Sequence, residues 1–515
     1  MNMTTMTGFT RRTLLGGAAA SAALPWFPRV ARAEGPIPRY DWDQLARAIK
    51  RPVLQPNDPR FVRLTQPENS YYFSTKADEA PLAVVRPQTP SEVGIAIKWA
   101  RDNNVPMVAR SGGHSYAGCS TIHGLIINTG DLRSVRFDAA NDLLDIGGGV
   151  LNGDIFAALK DVRYHGIPGG AAIVHGRCGA VGASAFLMGG GIGFDMRGYG
   201  IGSDLVDSVD IALADGSVVR NVSAKLGHNP DLFWAVCGGG GGNLGIATGW
   251  RLRPFAVAET VVFTATWDGT TETQPMFARL IRGLEQAPDN LGAQITVAAP
   301  KPGSKDAPSP SIHLTGQFRG TRKAFDAAMR HLLDGASSQA VVDGPYWSVQ
   351  AFLDQTPVPN KYQETSLFAG FLSDRAIDTT YQQLRGWAGA SATAHVTFFR
   401  TGGRVNKRPA IASAFVHRSS EWLANTSLDL SDCASDDAVK ANIVWLRGFH
   451  DALHAALPSL GSYQNFPDPG LANHREEYWG INLKRLQAMK RKLDPDFVFT
   501  PPQHQQILLK TDPPA

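Results

Sequence analysis

The chain has 515 residues, enough for two or more domains, each with its own core. A hydrophobic share of 43% beside 19% charged residues is the balance of a soluble globular protein, and beyond the N-terminus no run of about 18 apolar residues is available to span a membrane. The net charge of +4 resides in Arg11, Arg12, Arg29 and Arg32; beyond residue 33 the chain carries 46 basic and 46 acidic side chains, which argues against nucleic acid or anionic lipid as a partner.

Residues 1–33 read as a targeting segment. Arg11-Arg12 precedes a weakly apolar Ala/Gly-rich stretch from Leu14 to about Trp26, and Ala31-Arg32-Ala33 is an A-x-A cleavage pattern that would leave Glu34 first. Paired arginines before a mildly hydrophobic core indicate a twin-arginine signal, so the export machinery of that route is an expected partner and the destination is periplasmic or extracellular.

Residues 34–75 are a lead-in punctuated by Pro36, Pro38, Pro52, Pro56 and Pro59. A short strand is predicted over Pro81–Pro87. Thr89-Pro90-Ser91-Glu92 then gives an N-cap, a proline at the first helical position and a capping-box glutamate. The helix should run to about Asp102, with Val93, Ile97 and Ala100 on one face. Val105–Ala109 is the next strand, and this β-α-β unit delivers the chain into Arg110-Ser111-Gly112-Gly113-His114-Ser115. Further strands are read at Gly124–Asn128 and Leu143–Gly147, and a hairpin with an Asp-Gly turn at Asp207–Ser217.

The segment from Tyr164 to Gly200 is apolar and rich in glycine. It contains Gly176-Arg177-Cys178-Gly179-Ala180-Val181-Gly182. Pro230–Val236 leads into Cys237 and five glycines, Gly238 to Gly242, then Asn243-Leu244-Gly245-Ile246. Past Arg253-Pro254 the texture changes. Strands are expected at Val261–Trp267 and Ser311–Phe318, an exposed loop at 300–310, a helix at Thr321–Leu333 and a sheet element from His395 to Phe399. Strands mixed with helices suggest an α+β domain with an antiparallel sheet.

Glycines beside a lone histidine form a loop whose N–H groups can approach a ligand closely. Cys178, in a second Gly-rich turn, offers another nucleophile, so the pair suggests a cofactor gripped at two points. Other readings find less support. Gly189-Gly190-Gly191-Ile192-Gly193 is not a dinucleotide fingerprint after a strand, and no P-loop occurs. Cys119, Cys178, Cys237 and Cys433 show no C-x-x-C pair and no zinc spacing, and no H-E-x-x-H appears, so no metal site is expected.

The order RSGGHSYxG then GxCxxVG resembles the berberine bridge enzyme-like FAD-linked oxidases, of the vanillyl-alcohol oxidase (PCMH-type FAD-binding) superfamily. Tyr463-Gln464-Asn465-Phe466-Pro467-Asp468 is similar to that family's YxNYxD, Phe233–Thr248 to its FWAxRGGGGGNFGxxT, with Cys237 for Arg and Leu244 for Phe, and Asp494–Phe499 to its DPxNxF ending. The resemblance spans residues 76 to 508. It implies an α+β, two-domain fold: FAD-binding residues 76–255, a substrate domain at 256–455 with an antiparallel sheet, and a segment at 456–508 returning to the FAD domain.

The same resemblance implies FAD bonded at its 8α-methyl by His114 and at C6 by Cys178. Arg110, Ser111, Gly112, Gly113, Ser115, Val181, Gly182, Gly245, Ile246 and Asn465 would line the cofactor. The implied reaction removes a substrate proton to a base and a hydride to flavin N5, the protein supplying orientation. Dioxygen would be the electron acceptor, since Val181 is small enough to leave room beside the flavin. Relatives take the second Tyr of YxNY as base; here Phe466 has no proton-accepting group, which leaves Tyr463 and Tyr116 as candidates. Three functions are compatible with these residues: an exported oxidase of a carbohydrate hydroxyl or lactol carbon, the same chemistry on a phenolic, alkaloid or polyketide-like substrate, and a flavin-holding protein whose base is lost.

Overall fold

The computed structural model describes residues 40–512 apart from 226, 302, 355–358, 390–391 and 432–433; the expected signal peptide and Cys433 lie outside the described residues. Two smaller sheets occupy the first half of the chain. One has four strands in the order Val53–Leu54, Ala83–Val85, Leu125–Asn128, Met107–Arg110, and its last three run parallel. The helix Pro90–Asp102 crosses between two of them. Its N-cap Thr89 accepts the Glu92 N–H, and Val93, Ile97 and Ala100 are buried. The strand expected from Val105 begins at Met107, because Pro106 has no N–H and only its carbonyl pairs, with Leu125 N. The second sheet has five strands in the order Val218–Val222, Val206–Ala212, Ile246–Leu252, Leu143–Gly147, Val135–Asp138, all antiparallel. Its hairpin turns at Asp215-Gly216, where Gly216 has φ 84°.

The lead-in is not free of regular structure. Trp42–Ile49 is a helix capped by Asp41, with Leu45 and Ile49 buried and Gln44 accepting the Trp99 indole N–H at 2.8 Å. The prolines there bracket the helix; they do not exclude it.

The third sheet has seven antiparallel strands, in the spatial order Ser338–Pro345, Glu259–Trp267, Ser311–Arg319, Leu291–Ala298, Ala392–Arg400, Trp422–Leu430, Lys361–Ala369. This is the α+β architecture expected for the substrate part. Side chains alternate across a strand, so each sequence sends two different sets to the two faces. Ile295, Leu314, Val396, Phe398 and Trp422 join Phe277, Leu280, Phe325, Tyr381 and Phe449 of the covering helices in one buried cluster. The alternate residues carry polar groups to the other face. In register across four strands stand Ser366, Asn425, Thr397 and Thr296; one step on come Glu364, Ser427 and His395; then Tyr362, Asp429 and Thr393. No helix among the described residues is long and apolar enough to cross a membrane.

Candidate active site

The parallel strand Met107–Arg110 ends in the Ser111–Ser115 loop, at the carboxyl edge where open α/β sheets place ligands. The Cys178 turn is brought against it by the start of the helix Asn152–Leu159: Asn152 N–H donates to Val181 O at 3.0 Å and Gly153 N–H to Gly179 O at 2.9 Å. The two loops then touch through glycines. A Cβ on Gly112 would lie 2.4 Å from Ala180 O, and one on Gly182 would lie 2.0 Å from Ser111 Oγ. That contact sets His114 Nε2 3.4 Å from Cys178 Sγ. Gly112→Ala is therefore expected to cost about 1–3 kcal/mol by overpacking and to lower the fraction of chains that hold cofactor, read as flavin absorbance per protein after purification.

His114 Nδ1 is buried without a hydrogen-bond partner, and Glu68 Oε2 lies 3.9 Å from it. Burial raises the Cys178 thiol above its ordinary pKa, while the N–H groups of Ala180 and Val181 pull the other way. Cys119 and Cys237 are also free thiols, each pushed up to about 12 by burial.

Both nucleophiles open into a cavity of about 800 Å³ that runs from the glycine loops to the polar face of the seven-stranded sheet. Ser111, Gly112, Gly113, Ser115, Val181, Gly182, Gly245, Ile246 and Asn465 all line it, as do Tyr116 and Tyr463. The site residues read from the sequence are thus brought together, with one exception. Arg110 turns its guanidinium away, donating to the carbonyls of Thr65, at 3.0 Å, and Gln66. Its buried charge is satisfied at the end of the helix Phe61–Thr65, where it anchors the loop from behind.

The residues fit a flavin dinucleotide. His114, whose Nδ1 is unpartnered, lines the cavity beside Cys178. Gly113 takes φ 72° with the Arg110 guanidinium packed against it, while a Cβ on Gly241 would meet no atom within 4 Å, so the second glycine loop leaves backbone open to a ligand. A further close approach fixes the Tyr463–Asp468 turn: Asn465 Oδ1 lies 1.8 Å from where a Gly189 Cβ would stand.

The two tyrosines differ. Tyr463 is buried and its hydroxyl accepts N–H groups from Gly191 at 3.0 Å and Asn465 at 3.2 Å; burial still lifts its pKa to about 12. Tyr116 packs edge-on to His114 at 6.0 Å and against Phe466 at 5.2 Å, and desolvation with the nearby charges of Glu364 and Glu68 holds it well above 10. Phe466 also meets Phe399 at 5.9 Å, so an apolar aromatic corner replaces a phenol there.

Polar cavity residues that escaped the sequence reading include Glu68, Gln294, Tyr362, Glu364, Ser427, Asp429 and, as a side chain, His395. Tyr362 donates its hydroxyl to Glu68. Glu364 accepts from Ser427 Oγ at 3.0 Å and Asn425 Nδ2 at 3.2 Å. The alternation Tyr362-x-Glu364-x-Ser366 in a strand was the available signal, since polar residues at period two mark one wet face.

Comparison with known proteins bears on these elements. Residues 81–221 match the family model "FAD binding domain" and residues 462–504 match "Berberine and berberine like". The chain is 28% identical to an uncharacterized FAD-linked oxidoreductase, YgaK, of Bacillus subtilis, over 78% of this chain and 86% of that one. It is 26% identical to the glucooligosaccharide oxidase of Sarocladium strictum, over 83% and 87%. The fold superposes on a glucooligosaccharide oxidase from Acremonium strictum, described as carrying a 6-S-cysteinyl, 8α-N1-histidyl FAD, with TM-score 0.78 at 22% identity, covering 91% of this chain and 100% of that one. These comparisons make the chain an FAD-linked oxidoreductase, with a match to an FAD binding domain over residues 81–221 and to a berberine-like segment over residues 462–504.

Proposed function

We propose that the protein is an exported oxidase of carbohydrate-like alcohols or lactols whose FAD is held by two covalent bonds, from His114 and from Cys178. The 3.4 Å approach of the two nucleophiles and the unpartnered His114 Nδ1 support the double attachment. Once bound, the flavin supplies the two-electron acceptor for the substrate carbon, and dioxygen returns it to the oxidised form. The paired arginines at the N-terminus support export after folding, which suits a protein that must be loaded with flavin first.

One observation carries the substrate class. The sheet wall of the cavity holds hydroxyl, amide and acid side chains on one face: Gln294, Tyr362, Glu364, His395, Ser427 and Asp429 line it. Such a wall replaces the hydration of a polyol by paired donors and acceptors, which an apolar pocket cannot do. Tyr116, Phe399 and Phe466 add aromatic faces on which a sugar ring can stack. Residues 76–255 and 456–508 hold the cofactor and 256–455 the substrate. Tyr116 meets the substrate, while Tyr463 holds the Gly191 and Asn465 backbone and side chain in place.

The test is anaerobic bleaching of the yellow holoenzyme. Reducing-end oligosaccharides are expected to remove the flavin absorbance within seconds to minutes, and admitted oxygen to restore it. Bleaching by phenolic alcohols alone would reassign the cavity to an aromatic substrate and overturn the carbohydrate reading.

A further inference from the structure

We propose that Glu364 is the catalytic residue that takes the proton from the substrate hydroxyl. This rests on the reading of the site as one that oxidises an alcohol or lactol carbon.

The reaction needs an acceptor for one proton while the carbon gives up its hydrogen with two electrons to the flavin. The groups on the cavity wall narrow the choice. Phe466 and Phe399 carry no acceptor. Tyr463 already receives two N–H groups on its oxygen, and burial places its proton near pH 12. Tyr362 is committed as a donor to Glu68, and its pKa is raised far above the phenol range by desolvation and by the charges of Glu364 and Glu68. Tyr116 is raised likewise. A phenol so disposed can donate a hydrogen bond to the substrate, but it cannot rest as a phenolate near neutral pH.

Among the described residues three carboxyl groups line the cavity. Glu68 is capped by the Tyr362 hydroxyl and lies beside His114. Asp429 stands 3.8 Å from His395 Nδ1 and takes hydrogen bonds from Asn360 and Thr393. Among the described residues Glu364 makes no ion pair, and the Arg177 guanidinium of the same cavity donates to Gln294 Oε1 at 3.1 Å. Ser427 and Asn425, its cross-strand neighbours, each hold one of its oxygens and so aim the carboxyl off the polar face of the sheet. It is close enough to Tyr116 to act on that residue's ionisation, and Tyr116 is stacked edge-on against His114. Glu364 thus lines the same cavity as Tyr116, His114 and Cys178.

The electrostatics suit a base. Desolvation first, then the charges of Asp429 and Glu68, lift Glu364 to about 8, against the pull of Ser427. His395, two strands away across Trp422–Leu430, is itself lowered by burial and adds no lasting positive charge. Tyr116 and Tyr362 face Glu364 in their neutral forms. A carboxylate whose conjugate acid titrates there is a stronger proton acceptor than an ordinary one and is still available under mildly alkaline conditions. In the step, the substrate O–H bond breaks toward a Glu364 oxygen, its electron pair forms the carbonyl, and the C–H electrons pass to the flavin; the carboxylic acid then loses its proton to water.

The sign of the pH dependence follows. Below its pKa Glu364 holds a proton and cannot accept another, so the rate of flavin bleaching should rise through an acid limb centred near pH 8. The experiment is anaerobic stopped-flow reduction of full-length holoenzyme from pH 5 to 10, for wild type, Glu364→Gln and Glu364→Asp. Glu364→Gln keeps the size of the protonated side chain; its bleaching rate is expected to fall by about 10²–10⁴ and to lose the acid limb. Glu364→Asp should keep a limb at a slower rate. The acid-stable flavin spectrum of each variant reports that the fold and attachment persist. Glu364→Gln within about threefold of wild type, or slowed with the limb unmoved, overturns the assignment. The comparison uses whichever alcohol bleaches wild type, so failure of the carbohydrate reading is seen in the wild type alone and leaves the test of Glu364 intact. A carboxyl infrared band that disappears through about pH 8 in wild type and is missing in Glu364→Gln gives the same assignment without turnover.

Discussion

Acid-precipitated protein is expected to keep its yellow colour in wild type, in His114→Ala and in Cys178→Ala, and to lose it to the supernatant only in the double variant. The reason is geometric. The two loops are locked by glycines that tolerate no Cβ, Gly112 against Ala180 and Gly182 against Ser111, so removing one nucleophile leaves the other in place. The side chains are 3.4 Å apart, which lets one bound ring system meet both. Each single link would survive denaturation, and the retained flavin should fall from essentially all to essentially none when both are gone. The double variant should still bind FAD in its native state through the glycine loops, and that binding should be reversible on dialysis. Flavin released by acid from wild type would refute covalent attachment; colour kept by the double variant would place a bond elsewhere, with Cys119 in the cavity wall the first residue to examine.

Removal of a single buried carboxylate far from the nucleophiles should have the largest effect on stability. Lys490 is 1% exposed and Asp494 0%. The Lys490 ammonium donates to Asp494 Oδ2 at 2.6 Å, Phe499 O at 2.6 Å and Asn243 O at 2.8 Å, so all three of its protons are placed. Asp494 in turn accepts the N–H groups of Val498 at 2.7 Å and Phe499 at 2.9 Å. Asp494→Ala leaves the buried ammonium without its counter-charge, at a cost of about 3–5 kcal/mol. It also frees two N–H groups in the tail. Because Asn243 follows the glycines that line the cavity, the loss should appear as a lower unfolding midpoint in denaturant and as weaker flavin retention in the double nucleophile variant. Lys490→Met should cost less, since Asp494 keeps its two backbone donors. An Asp494→Ala protein that unfolds at the wild-type denaturant concentration would show that the pair is not what fastens the tail.

Elements decided by nearby residues were legible in the sequence. Thr89-Pro90-Ser91-Glu92 predicts a helix start that the structure reproduces with Thr89 accepting the Glu92 N–H. Asp215-Gly216 predicts the hairpin turn, and the alternation in Ser311–Phe318 predicts a strand with Ile312 and Leu314 on one side and His313 and Thr315 on the other. The helix Trp42–Ile49 was obscured by flanking prolines, although Asp41 was a sound N-cap. In each case the governing interaction spans three or four residues.

What the sequence by itself determined is the chemistry available: two nucleophiles in glycine loops, a motif whose second aromatic is Phe466, and a polar-apolar alternation that makes one face of a sheet wet. What only the tertiary structure decided is which of these groups meet and in what state. Gly112 and Gly182 are 70 positions apart, and their contact, not either motif, brings His114 to Cys178. Tyr362 and Glu68 are separated by 294 positions yet share a hydrogen bond, and Arg110, adjacent to the loop in sequence, points away from the cavity. Glu364 gained its raised pKa only when folding stripped water from it and set Glu68 and Asp429 nearby. Proton affinity in a protein depends on desolvation and on charges brought close by packing, and neither is a property of the local sequence.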